Sequence, residues 1–546
     1  MKSLFSYDHF LGYVNEVTPQ YIRIHFPSSR LLQSFYHKGE SLGGGHVGCF
    51  VVIEGDQYGF LARITDVALP DSERKSITEK SILEDESTFH PSGKAELLLS
   101  FDVYDPEKAE KTVGRYPHIG AKVYACSDKQ IESYVHHFGR RHKDMICASL
   151  GNLTSSEVAC EVSLDSLFGR HCAVLGTTGG GKSWTMAKLM EQIQDKTVNK
   201  IILIDATGEY DSLSSAEHCI VGENSYFPYS KLSNSDFCSL FREHSPNTST
   251  ILCEAINTLR LVKAGILESP QKVGKDAAQI SSKVTKNIPQ YLYGEFAISE
   301  LYSQIRNECV EEDSRSGIYK ENAFKLSYCS HLMARVSMFL SNQTVQSALG
   351  INMNNKQKSI IDIITSFCNG EKSILRIGFE ELSYDFAIRE IIVNFIAVHL
   401  LKKAREGSFK QKPILLFIDE THQFVNKKIN AADDTTFYLQ GIELTAKEAR
   451  KYGLFLCLST QMPRDIPLGI LSQMGTFIIH RLINEQDKKA VESAASSINK
   501  SMLSFLPTLG SGEALLIGVD FPMPLLLKIT PPTQTPRSET PKLRKK

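Results

Sequence analysis

The run Gly176-Thr177-Thr178-Gly179-Gly180-Gly181-Lys182-Ser183 constrains this chain more than any other segment. It has the spacing G-x-x-x-x-G-K-[ST], follows the apolar run Cys172–Leu175 and opens a helical pattern over Ser183–Gln194. Strand, loop and helix in that order are the context the motif requires. The glycines let successive backbone N–H groups turn inward around a phosphate, and the helix N-terminus adds the positive end of its dipole. Lys182 supplies a point charge to the β- and γ-phosphates, and Ser183 supplies a hydroxyl to Mg²⁺. All eight residues are therefore candidate nucleotide ligands, with ATP and Mg²⁺ as the expected substrate and cofactor.

Such a loop needs a second strand that carries an acidic group to the metal. Ile414-Leu415-Leu416-Phe417-Ile418-Asp419-Glu420 provides it, with Asp419 emerging at the C-terminal end of an apolar strand, where open α/β sheets place their ligands. Asp419 is the candidate Mg²⁺ ligand, through water, and Glu420 the candidate catalytic carboxylate that polarises the attacking water. Two further strand ends point to the same crevice. Lys200–Asp205 runs into Asp205-Ala206-Thr207-Gly208-Glu209-Tyr210, which adds Asp205 and Glu209 near the phosphates. Leu454–Ser459 runs into Thr460-Gln461, and a polar Gln there is suited to sensing the γ-phosphate. Each has a plainer reading: Asp205 as a helix cap and Gln461 as a turn residue.

At 546 residues the chain is too long for one core. Up to about residue 126 the hydrophobic period is two, as in Ile22, Ile24 and Phe26 alternating with Tyr21, Arg23 and His25. Five or six such runs, separated by Gly-rich turns, predict a small amino-terminal β-barrel over 1–126. Residues 127–159 are polar and histidine-rich and read as a linker. His136, His137 and His142 lie close together there, but no Cys or carboxylate completes a ligand set. From about residue 160 short apolar strands alternate with helical periods. That predicts an α/β domain with a parallel sheet over 160–530, interrupted by a helix-rich insertion at about 212–370 without clear strands. The Pro-, Thr- and Lys/Arg-rich tail 531–546 reads as disordered.

Composition excludes more than it assigns. The formal net charge of −1 gives no bulk basic field, so contact with nucleic-acid phosphates must come from a local patch. The segment with Arg260, Lys263, Lys272, Lys275, Lys283 and Lys286 is one, set against Glu268 and Asp276. It reads either as a DNA-facing surface or as a solvated face. Twelve cysteines without a C-x-x-C pair suggest reduced thiols in a cytoplasmic protein. Neither a signal peptide nor an uninterrupted apolar run long enough to span a membrane is present, so no membrane partner is expected.

The motifs together resemble the HerA family of hexameric DNA translocases, in the FtsK–HerA branch of RecA-like P-loop motors. The resemblance rests on Arg170-His171 before the P-loop strand, Asp205–Tyr210, Ile418–His422, Arg450-Lys451-Tyr452-Gly453 before Ser459-Thr460-Gln461, and Leu509-x-x-Gly512-Glu513-Ala514. Two departures stand out. Ala206 and Thr207 replace the family's Pro-His, and Met462 replaces the Arg of Ser-Thr-Gln-Arg-Pro. The resemblance implies a homohexamer that threads double-stranded DNA and places ATP between subunits. It also implies an arginine acting in trans on the transferred phosphoryl group, for which Arg170 and Arg450 are candidates and Arg481 a third. Each has a plainer reading as a surface or salt-bridged arginine.

The leading expectation is an ATP-dependent DNA translocase or helicase working with a separate effector. The resemblance implies a nuclease such as NurA, in DNA repair, or an antiviral defence effector such as a sirtuin-like NADase or another nuclease. The alternative is an ATP-assembled hexameric scaffold that activates a defence effector, with translocation secondary. A secretion or conjugation ATPase is weakened by the missing membrane anchor.

Overall fold

A closed β-barrel forms at the amino terminus because the period-two pattern gives each strand one apolar face. Its strands are Phe10–Val17 (β1), Ile22–His25 (β2), Phe50–Ile53 (β3), Tyr58–Ala68 (β4), Ser92–Asp102 (β5) and Lys122–Ala125 (β6). The order is β2-β1-β6-β3-β4-β5, and β5 returns to β2 through the pairs Ile22–Ala95 and Ile24–Gly93. Leu11, Ile22, Ile24, Phe26, Val51, Phe60 and Val123 meet in its core. A Cβ on Gly93 would stand 2.7 Å from the Phe26 ring, so that glycine is set by packing. The structure, a computed structural model, describes residues 5–19, 21–74, 89–105, 109–111, 115–127, 130–131, 145–154, 159–243, 245–352, 357–383, 385–425, 440–495, 498, 500–521 and 524–537.

The chain divides into two compact units. One comprises residues 1–197, 461–464 and 471–535; the other comprises 198–460, 465–470 and the segment from 536. Beyond the barrel, the first unit holds the strands Cys147–Leu153 (β7), Ala159–Ser163 (β8), Cys172–Leu175 (β9), Thr476–Ile479 (β15), Glu513–Gly518 (β16) and Leu525–Ile529 (β17), among others. They run in the order β8-β7-β17-β16-β15-β9. The β9–β15 pair is parallel and the others are antiparallel. The second unit holds Lys200–Asp205 (β10), Ala216–Ile220 (β11), Ile374–Gly378 (β12), Ile414–Ile418 (β13) and Leu454–Thr460 (β14), ordered β14-β13-β10-β12-β11 and parallel throughout. Strands β10, β12 and β13 are buried along their whole length, which is why they are mostly apolar, with Arg376 the charged exception inside β12. The expected α/β fold with a parallel sheet and a small amino-terminal barrel is the fold observed.

Four expectations need correction. Cys147–Leu153, assigned to the linker, is strand β7; the histidine-rich stretch itself lies outside the described residues. The insertion is not strand-free, because Ala216–Ile220 pairs with β12. It is an edge strand with two half-buried polar residues, Glu217 and His218, and so lacked a clean apolar signal. The helical part follows, with helices at Asn234–Leu240, Pro246–Lys263, Ala277–Asn287, Leu301–Glu308 and Ser330–Ser341 among others.

The basic segment is not one surface. The Arg260 side chain is interior and donates to Asn234 Oδ1 at 2.8 Å, Leu292 O at 2.7 Å and Leu232 O at 2.9 Å. Lys272 is buried against Glu308, whose other oxygen accepts from Thr258 at 2.6 Å and Gln304 at 2.7 Å. Lys263, Lys283 and Lys286 are exposed. The tail is not wholly without contacts either. Thr533 N donates to Glu191 at 2.6 Å in the first unit, and Arg537 pairs with Asp211 at 2.7 Å in the second. Among the described residues no helix is long and apolar enough to cross a membrane.

Candidate nucleotide site

The first unit builds the phosphate loop. β9 ends at Leu175, and the helix Lys182–Lys196 (α1) begins at the end of the glycine run. Gly176, Gly179 and Gly181 sit at φ of 155°, 74° and 113°, conformations that a side chain would oppose. A Cβ on Gly176 would stand 2.6 Å from His480 Cβ, and one on Gly181 would stand 3.2 Å from Gly512 Cα. Neighbouring segments hold the loop. Thr177 N donates to Arg481 O at 2.9 Å, Gly512 N to Gly180 O at 3.1 Å, and Ser511 Oγ to Gly179 O at 3.3 Å. Thr178 Oγ1 donates to Gln461 Oε1 at 2.5 Å, which brings two candidate residues together. Lys182 folds back so that its ammonium donates to Thr177 O at 3.4 Å.

His480 lies beneath this loop and was visible in the sequence only as the polar end of an apolar strand. Its Nε2 is 2.9 Å from Thr185 Oγ1 on α1, and its Nδ1 is 2.8 Å from Glu513 O. Burial, helped by nearby Lys182, pushes its pKa down to about 4, so the ring is neutral around pH 7. It is a strut between β15, β16 and the first turn of α1.

The second unit builds the acidic part. Asp419 follows β13, is buried, and donates its backbone N–H to Ile204 O at 3.0 Å. Burial pushes its carboxyl up to about 8, and Glu420, Glu209 and Asp205 add to the rise. Glu420 occupies a left-handed backbone conformation at φ 44°, with Oε2 buried and without a well-aligned hydrogen-bond donor. Both carboxylate oxygens of Asp205 are engaged within its own unit. Its Oδ1 accepts from Gly208 N at 2.9 Å; its Oδ2 accepts from Tyr210 N at 3.0 Å and Arg376 Nε at 2.7 Å. It shapes the loop that carries Glu209. The sequence signal for this partner is Arg376, an arginine inside an apolar strand.

The three candidate trans arginines differ in setting. Arg170 Nε lies 3.5 Å from Asp520 Oδ2, Arg450 is exposed on the turn Ala449–Tyr452, and Arg481 is exposed beside the loop its carbonyl holds.

Each unit fits the groups the motifs imply. The glycine turns and the start of α1 form a cradle that a Cβ would fill, as suits a phosphate. The buried Asp419, raised by the neighbouring Glu420, Glu209 and Asp205, fits a divalent cation, which would reverse the rise in its pKa. Among the described residues no cluster of three or more His, Cys, Asp or Glu is arranged as a metal cage. Mg²⁺ needs none, since it keeps several waters.

Parallel strands, a glycine-built phosphate loop at a helix start and an acidic strand end define a P-loop ATPase. Residues 148–375 match the domain described as "Helicase HerA, central domain", and residues 333–538 match "Helicase HerA-like C-terminal". The chain belongs to the HerA helicase family. It is 25% identical over 430 residues to the probable DNA double-strand break repair helicase HerA of Methanocaldococcus jannaschii, covering 69% of this chain and 75% of that protein. To the DNA double-strand break repair helicase HerA of Sulfurisphaera tokodaii it is 25% identical over 399 residues, covering 70% and 68%. Among solved structures it is similar to the bacterial conjugative coupling protein TrwB, at 11% identity and a TM-score of 0.46, over 74% of this chain and 94% of that one.

Proposed function

We propose that this chain is an ATP-driven motor that assembles as a hexameric ring, moves along double-stranded DNA and serves an effector encoded separately. The observation that carries the reading is the phosphate loop, with three glycines at positive φ leading into Lys182 at the start of α1. In this reading the loop N–H groups and Lys182 hold the β- and γ-phosphates of ATP, and Thr178 and Gln461 border the γ-phosphate. Ser183 and Asp419 hold Mg²⁺, which supplies positive charge to the phosphate oxygens when bound. Glu420 accepts the proton of the attacking water, with Glu209, on the loop that Asp205 anchors, as a further carboxylate for the nucleotide. The neighbouring subunit supplies an arginine, Arg450 or Arg170, against the charge that develops on the transferred group.

DNA as the track is supported by the names of the relatives, which are DNA double-strand break repair helicases. The effector, a nuclease such as NurA or a defence NADase, is supported by family resemblance alone. The test is ATP hydrolysis by purified protein with and without linear duplex DNA, together with mass in solution. Severalfold stimulation by duplex and the mass of a hexamer are expected. A monomer with full activity would sink the ring, and hydrolysis indifferent to DNA would favour the scaffold reading.

A further inference from the structure

We infer that His422 is a positioning residue that holds the Glu420 carboxylate and ties it to the end of β14. The inference rests on the reading of Glu420 as the base. His422 Nδ1 lies 3.2 Å from Glu420 Oε2 and 3.2 Å from Thr460 Oγ1, and all three residues belong to one compact unit. Both side chains of the Glu–His pair are nearly buried, at 12% and 14% exposure, so water competes weakly for their polar atoms.

The residue between them is fixed from two sides. Thr421 N donates to Ser459 O at 2.8 Å, and Thr421 Oγ1 donates to Ile418 O at 2.8 Å. The turn His422–Val425 is thereby held to the ends of both β13 and β14. Glu420, at φ 44°, is turned so that its carboxylate approaches the imidazole. At 3.2 Å the pair is within reach of a hydrogen bond but out of alignment, since Glu420 Oε2 has no properly directed donor. A small rotation of either side chain makes the bond.

In the tautomer with its proton on Nδ1, His422 can donate to one acceptor at a time. Given to Glu420 Oε2, it fixes the carboxylate by one oxygen and leaves the other to take a proton from water. Given to Thr460, it frees the carboxylate to swing. A change at the end of β14 therefore alters how firmly the base is held, through one shared donor.

The experiment compares His422→Ala, His422→Asn, His422→Gln and Glu420→Gln by steady-state ATP hydrolysis and by binding of a fluorescent ATP analogue. Asn places an N–H where Nδ1 stands, whereas Gln places it near Nε2. His422→Ala should lower kcat about tenfold to a hundredfold, as loss of a supporting partner commonly does. KM and analogue binding should change by less than about threefold. His422→Asn should recover most of the turnover, and His422→Gln should not. Wild-type kcat in His422→Ala overturns the inference, as does equal loss in Asn and Gln with folding intact. If the alanine variant does not fold, the Asn–Gln comparison decides. Undiminished turnover in Glu420→Gln overturns the reading of the base itself. Loss there with no loss in His422→Ala leaves that reading standing and removes only the role of His422.

Discussion

Arg376 and Asp205 face each other at 2.7 Å with neither side chain exposed to solvent. They stand two residues out of direct register on neighbouring strands, on the same face of the sheet, where Leu203 pairs with Arg376 and Asp205 with Gly378. Arg376 also donates to Glu380 at 2.8 Å, so one guanidinium joins the ends of β10 and β12. The loop from Asp205 to Tyr210, which carries Glu209, takes its shape from this pair.

Removing one partner leaves a buried charge uncompensated, a loss of about 3–5 kcal/mol. Arg376→Met should lower the thermal midpoint markedly, whereas the double variant Arg376→Met with Asp205→Asn should recover part of the loss. Calorimetry on the three proteins checks this. Equal midpoints in wild type and single variant would show the pair to be energetically idle.

At the phosphate loop, Lys182→Ala and Glu420→Gln should fail differently. The first removes the charge that meets the phosphates and should weaken binding of a fluorescent ATP analogue. The second should bind the analogue like wild type yet hydrolyse ATP at least about a hundredfold more slowly. Binding and turnover measured on the same preparations separate the two, and identical behaviour would contradict the assigned roles.

His480 gives the fold a pH signature. Its ordinary value of 6.5 falls to about 4 in the native state. Between those values the unfolded chain binds a proton that the native chain does not, so stability drops as pH falls from 6.5 towards 4. The loss from this group is at most roughly 3 kcal/mol. His480→Gln removes the titration and should flatten that part of the stability curve. Urea midpoints at pH 7 and pH 4.5 measure it, and an unchanged difference between the two pH values would refute the assignment.

The cationic segment should split by burial. Arg260→Ala and Lys272→Ala break interior hydrogen bonds and an interior ion pair, so both should destabilise the protein whether or not DNA is present. Lys263→Ala, Lys283→Ala and Lys286→Ala should leave stability within about 0.5 kcal/mol. If these three exposed lysines meet DNA phosphates, each loss should reduce the slope of log affinity against log salt by about 0.9. Salt titrations of duplex binding give that slope, and an unaltered slope in the triple variant excludes them from the track.

For the trans arginine, Arg450→Ala subunits should be mixed with Glu420→Gln subunits. Each ring alone lacks one group at every interface. A mixed ring contains interfaces with both, so partial activity should return. The loss in Arg450→Ala alone should be about a thousandfold or more. No recovery with Arg450→Ala or with Arg170→Ala would turn attention to Arg481.

The phosphate loop, the acidic strand end and the barrel were legible because each leaves a local signature: fixed spacing, a buried apolar run, period-two alternation. What escaped was non-local. His480 becomes a strut only because β15 lies beside β9, and Asp205 becomes a loop anchor only because Arg376 is its sheet neighbour. Lys272 looked like a surface charge until Glu308, far along the chain, closed over it. Ala216–Ile220 was missed because an edge strand with polar residues at two of five positions resembles a loop.

The order in which the first unit is assembled has a bearing on synthesis. Thr177 finds its partner Arg481 304 residues later, and β7 finds β17 only when Ile529 has been made. At about 5–20 residues per second the glycine loop leaves the ribosome roughly 15–60 s before the segments that grip it. The second unit, nested between, has that interval in which to fold. An interrupted chain thus carries the phosphate-binding motif without the strands and carbonyls that shape it. Only a translation product extending through β17 contains every strand and carbonyl that grips the glycine loop.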